Sequence, residues 1–157
     1  MNKNFYLCIV KKIIFFNDYP SLNLRQADLL EWIYECVHEK GAKIKRLYIN
    51  FISEHKMLDL NKKHLKHDTH TDILTFSYKD NLTIESEIFI CFQRALENAN
   101  AHSKTPEDET LRLISHGLLH ALGMRDNTQK SKELMTKEED NFITKFHVKH
   151  TKGEKIL

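Results

Sequence analysis

Between Asn23 and Glu39 the apolar residues Leu29, Leu30, Ile33 and Val37 recur every three or four positions, with Gly41 just beyond them. That spacing predicts an amphipathic helix and its C-terminal stop. Upstream, residues 5–10 and 13–16 are short β-prone runs, and Asn17-Asp18-Tyr19-Pro20 supplies turn chemistry after them. Residues 44–53 alternate imperfectly around Ile44, Leu47, Ile49 and Phe51, which predicts a strand, and Met57, Leu58 and Leu60 predict a short helix over 54–63. The polar stretch 64–71 reads as a loop. Residues 72–78 and 86–92 are rich in Ile, Phe and Thr and flank Lys79-Asp80-Asn81, so they predict a hairpin. The remainder reads as three helices, over about 93–102, 106–122 and 130–146. Strands early and helices late predict an α+β fold, with one mixed sheet of about four strands covered by about five helices.

Composition narrows this little further. At 157 residues with 41% apolar positions, 4 Gly and 2 Pro, the chain suits a single globular domain over 1–157 and excludes disordered and fibrous classes. Residues 146–157 read as a flexible basic tail. A net charge of +2 does not by itself imply a nucleic-acid partner. The runs Lys43, Lys45, Arg46 and Lys62, Lys63, Lys66 read first as solvated faces. Cys8, Cys36 and Cys91 are odd in number and lack CxxC spacing, as expected of reduced thiols. The N-terminal apolar run is interrupted by Lys11 and Lys12, too early for a signal segment, and no apolar stretch is long enough to span a membrane. The expected location is the cytoplasm.

The chemistry concentrates in the helix over 106–122. Thr105 suits the N-cap, Pro106 the first helical position, and Glu107, Asp108 and Glu109 complement the positive end of the helix dipole. Gly123 fits the left-handed position that ends a helix. Leu111, Ile114, Leu118 and Leu122 form an apolar stripe, and His116 and His120 fall on the face opposite it. Four residues apart, the two imidazoles lie one turn apart, about 6 Å along the axis, and can share one metal ion. Gly117 between them would let another backbone approach. With ten histidines in the chain, an HxxxH pair arises by chance about 0.6 times, so spacing alone is weak evidence. The capped, largely apolar helix, the turn at Gly123 and the return of Asp126 as a third ligand of suitable type strengthen it. The set excludes a zincin peptidase, whose H-E-x-x-H general base is replaced here by Gly117. His64, His67 and His70 read as solvated loop histidines rather than a second site.

The segment His116-Gly-Leu-Leu-His-Ala-Leu-Gly-Met-Arg-Asp126 resembles the H-G-x-L-H-L-x-G-Y-D-H signature of the YbeY family, bacterial metal-dependent endoribonucleases of ribosomal RNA maturation. Leu60-Asn61 and Asp68-Thr69-His70-Thr71-Asp72-Ile73-Leu74-Thr75-Phe76 resemble that family's L-N…D-x-P-T-D-V-L-S-F. Glu87-Ile88-Phe89-Ile90 is similar to its G-D-I-x-I strand, and Met135 and Glu138 suit its closing M…E helix. The matches run in order from about residue 54 to 140. The resemblance implies a single-strand-specific endoribonuclease acting at the 3′ end of small-subunit ribosomal RNA and in ribosome quality control. It implies RNA and ribosome-associated proteins as partners and one divalent metal, zinc foremost, held by His116, His120 and Asp126. Asp126 departs from the family, which has His there; it lowers the charge of the site by one unit and makes Ni, Mn or Fe more fitting. Met124-Arg125 stands where the family has Tyr-Asp, and Leu65 where it has a functional Arg.

Three ligands would leave a position for water or substrate, and the expected reaction is hydrolysis of an RNA phosphodiester. No side-chain general base is evident. Two other readings compete. One is a ribosome-associated assembly factor with a structural metal, which would need a fourth ligand such as His64 or a Cys. The other is a metal-dependent hydrolase of a small substrate, which would need a narrow pocket.

Overall fold

The computed structural model describes residues 3–4, 12–16, 20–64, 71–78 and 82–154, with side chains to His150. Among the described residues four strands, β1 (Ile13–Phe16), β2 (Lys43–Ile52), β3 (Ile73–Ser77) and β4 (Thr83–Cys91), form one sheet in the order β1-β2-β4-β3. β1 and β4 run parallel to β2, and β3 runs antiparallel to β4, so the sheet is mixed. Among the described residues five helices cover it: α1 (Gln26–Glu39), α2 (Glu54–His64), α3 (Phe92–Ala101), α4 (Pro106–Ala121) and α5 (Gln129–Glu154). The α+β expectation holds. The strand expected over residues 5–10, the turns at 17–19 and 79–81 and the loop at 65–70 lie outside the described residues.

The central strands explain the two faces. In β4 the residues Ile84, Ser86, Ile88 and Ile90 are buried and the residues between them less so, the period of two of a strand. Ile88 and Ile90 join Leu47, Ile49 and the helices α1, α4 and α5 in the main core. On the other face, Leu74 and Phe89 pack with Met57 of α2 in a small second cluster. The alternation of β2 is imperfect for a local reason. Its register with β4 shifts between Ile44 and Arg46, and the extra residue lets Ile44 and Leu47, three apart, both turn inward.

Two boundaries differ from expectation. β4 begins at Thr83, three residues before the apolar run, because Thr83 pairs with Lys43 across the sheet. α5 continues past Phe146 to Glu154, where the sequence suggested a basic tail. Phe146 is buried edge-on against Trp32, His147 pairs with Asp108 at 2.6 Å, and Lys149 reaches both Glu31 and Glu35 on α1. His147 and Lys149, which look like part of a solvated tail in one dimension, bind α5 to α4 and α1.

Candidate metal centre

α4 is set by its ends. Thr105 accepts a hydrogen bond from the Asp108 amide at 3.1 Å, Pro106 opens the helix, and three acids fill its first turn. At the other end the Gly123 amide donates to the His120 carbonyl and the Met124 amide to the Leu119 carbonyl, both at 2.9 Å, with Gly123 at φ +94°. This is a Schellman ending, which requires a left-handed residue and reverses the chain at once. Between these ends α4 is buried on more than the expected stripe: Leu113, Leu119 and Gly117 are covered as well. Gly117 does not admit a backbone, as its type suggested, but a side chain. A Cβ there would meet Ile88 of β4 at 2.8 Å.

The Schellman turn places two of the candidate ligands. It brings the Met124 carbonyl to His120, whose Nδ1 donates to it at 3.0 Å, and returns Asp126 over the helix end. His116 Nδ1 donates to Glu139 Oε2 on α5, also at 3.0 Å. Both acceptors lack a proton to give, so both imidazoles carry hydrogen on Nδ1 and turn Nε2 toward each other. The two Nε2 atoms lie 2.9 Å apart, and each is 3.6 Å from Asp126 Oδ2. At that separation, facing a carboxylate, the two Nε2 atoms need a shared positive charge between them, either a proton on one ring donated to the other or a metal ion. Tetrahedral zinc with bonds of about 2.0–2.2 Å places ligand atoms about 3.3–3.6 Å apart, which the two N–O distances meet, while the N–N distance is about 0.4 Å shorter and would open on binding. Two nitrogens and a carboxylate oxygen therefore fit a divalent transition metal in both spacing and chemistry. The three side chains are 25%, 31% and 40% exposed, so the centre is open on one side.

Electrostatics favour positive charge here. Burial opposes the imidazolium form of His116, but the hydrogen bond and charge of Glu139, then Asp126 and Asp72, outweigh it and raise its pKa. Glu139 is itself buried, and its second oxygen takes Arg112 Nη1 at 3.0 Å. Glu138, which suits the family's closing helix, pairs with Lys40 away from the centre. The difference is helical phase. Met135, Glu139, Phe142 and Phe146 recur at spacings of four, three and four on the buried stripe of α5, and Glu138 lies off it. An acid alone on an apolar stripe was the signal available in the sequence.

The open side of the centre faces the edge strand β3. Ile73, Leu74, Thr75 and Ser77 line a groove of about 320 Å³ with His116 and His120. A second hollow of about 380 Å³, lined by Asp72, Arg94 and Asn98, meets it at Ile73 and His116. Among the described residues no fourth His, Cys or acid joins the cluster of His116, His120 and Asp126. His64 packs edge-on against Phe76 with ring centroids 5.0 Å apart. Lys62 and Lys63 are exposed on the last turn of α2, and Arg125 is exposed beside Asp126. Leu65, Lys66, His67 and His70 lie outside the described residues.

Comparison with known proteins identifies the family. The family profile described as Endoribonuclease YbeY matches residues 16–147. The protein named Endoribonuclease YbeY of Christiangramia forsetii is 31% identical over 137 residues, covering 87% of this chain and 96% of that protein. Its namesake in Cytophaga hutchinsonii is 37% identical over 130 residues, covering 82% and 91%. The solution structure of TM1509 from Thermotoga maritima shares the fold, with a TM-score of 0.64 at 24% identity over 90% of this chain and 93% of that one. Among the described residues no helix is long and apolar enough to cross a membrane. With the profile spanning most of the chain and relatives aligned over nearly their full length, this chain belongs to the YbeY endoribonuclease family.

Proposed function

We propose that this chain is a metal-dependent, single-strand-specific endoribonuclease of the cytoplasm that acts on ribosomal RNA, at the 3′ end of the small-subunit RNA and in ribosome quality control. One observation carries this reading. In a chain 31% and 37% identical to proteins named Endoribonuclease YbeY, two Nε2 atoms and a carboxylate oxygen converge on an open groove. We assign His116, His120 and Asp126 as the ligands of one divalent metal, zinc first, with Ni, Mn and Fe compatible with the Asp oxygen.

Three protein ligands support a catalytic centre, because structural zinc sites are closed by four. An open groove along a strand edge supports a polymeric substrate over a small one. When bound, the ion would supply a Lewis acid and a water of lowered pKa for phosphodiester hydrolysis. The residues of the chain supply position. Met124 and Glu139 keep both Nε2 lone pairs turned toward the groove, and β3 bounds the path of the strand. Lys62, Lys63 and Arg125 are assigned to phosphates along that path, holding the strand beside the centre.

The test uses a labelled single-stranded RNA from the 3′ end of small-subunit RNA and its duplex counterpart. Cleavage of the single strand alone is expected, lost on chelation and restored by zinc. Binding should weaken with salt, and replacing both Lys62 and Lys63 by Ala should lower the salt slope by about 1.4, at about 0.7 per phosphate contact. Cleavage that survives chelation, or affinity indifferent to both salt and the lysines, would overturn the reading in favour of a small-substrate hydrolase.

A further inference from the structure

We propose that Glu139 is a positioning residue of this metal centre and that Arg112 holds it in turn, so that the metal affinity of His116 is set from α5. The inference rests on the metal reading above and adds to it a residue outside the ligand set.

Glu139 is 6% exposed and ends on two donors, Arg112 Nη1 and His116 Nδ1, each at 3.0 Å on a different oxygen. A buried carboxylate is tolerated when both oxygens are paired, and these two bonds pair them. Arg112 lies one turn before His116 on the same face of α4 and is anchored a second time on Asp140 Oδ1 at 2.8 Å. The unit therefore locks α4 to α5 through charged hydrogen bonds and ends at the ring of one ligand. His120 is held differently, by the neutral Met124 carbonyl. An ionised acceptor makes the imidazole it holds a stronger donor at its other nitrogen, and carboxylate partners of this kind typically change metal affinity about 10–100-fold.

Donor accounting makes the idea sharp. Arg112 and His116 Nδ1–H are both donors and need two acceptors. Glutamate offers two, and glutamine one. In Glu139→Gln the amide oxygen can serve only one of them. With Arg112 on that oxygen, the amide NH2 faces His116 and favours hydrogen on Nε2, the tautomer that cannot bind metal through Nε2.

Two measurements test this. In metal-free protein at about pH 9, above the ordinary imidazole range, nitrogen NMR should show His116 as the Nδ1–H tautomer. The Nε2–H form should grow in Glu139→Gln while His120 is unchanged. Zinc affinity, read by chelator competition, should fall about 10–100-fold in the same variant. An Nε2–H tautomer for His116 in the wild-type protein overturns the proposal, and this arm needs no variant that must fold. Equal zinc affinity in wild type and folded Glu139→Gln overturns the positioning role and leaves the metal centre standing. A wild-type protein that binds none of zinc, nickel, manganese and iron removes the metal reading, and the positioning role with it.

Discussion

Gly117→Ala should destabilise the fold although it places alanine, the best helix former, in the middle of a helix. Propensity alone would favour the change by about 1 kcal/mol. Packing opposes it. The new Cβ would meet Ile88 Cδ1 at 2.8 Å, Cγ2 at 3.1 Å and Cγ1 at 3.2 Å. Ile88 is wholly buried in the central strand β4 and paired with Ile49 and Thr75, so it has little room to yield. Overpacking of this kind costs about 1–3 kcal/mol, and three close carbons place it toward the upper end. The net expectation is a loss of about 1–2 kcal/mol. Ile88→Val removes Cδ1 alone and should cost about 0.5–1.5 kcal/mol in the wild-type background. In the Gly117→Ala background it should cost nothing or stabilise, a coupling of about 1 kcal/mol. Urea unfolding of the four proteins supplies the cycle. Additivity within about 0.5 kcal/mol, or a stabilised Gly117→Ala, would refute the close-approach reasoning. Because Gly117 sits between the two histidines, zinc affinity should weaken with the single variant and recover with the pair.

Further expectations concern the site and its surroundings. His116→Ala and His120→Ala should each abolish metal binding while circular dichroism stays native, since both side chains are partly exposed; full metal content by elemental analysis in both would remove the site. Asp126→His should raise the preference for zinc over manganese in competition assays, by replacing a carboxylate oxygen with a third imidazole; unchanged selectivity would mean that Asp126 is not a ligand. Burial pushes the Cys36 thiol from 9.0 up to about 12. Its folded pKa lies above the unfolded one, so the stability it contributes is complete below about pH 9 and is lost as pH rises toward 12. The slope is at most about 1.4 kcal/mol per pH unit. Cys36→Ala should flatten the decline of stability above pH 9, and an identical decline in both proteins would contradict the burial.

Much of the site was legible because its determinants are local. Thr105, Pro106 and the following acids announce one end of α4 and Gly123 the other, and His116, His120 and Asp126 fall within eleven residues of each other, joined by a helix and its cap. Helix geometry and capping are short-range rules, and a sequence states them directly. Glu139 was not legible in the same way. It lies twenty-three residues beyond His116, and only the phase of α5 against α4 chooses it over Glu138. The partner of Gly117 was equally undetermined, because whether a backbone or a side chain fills the space over a glycine depends on which strand lies beneath it. The groove beside the histidines exists because β3 returns antiparallel at the edge of the sheet, and the tail of α5 is helical because Phe146 and Lys149 find α1. The sequence by itself determined the elements, their caps and the spacing of the three candidate ligands. The tertiary structure decided which distant groups hold those ligands in place and where a substrate can approach, because both depend on the packing of one element against another.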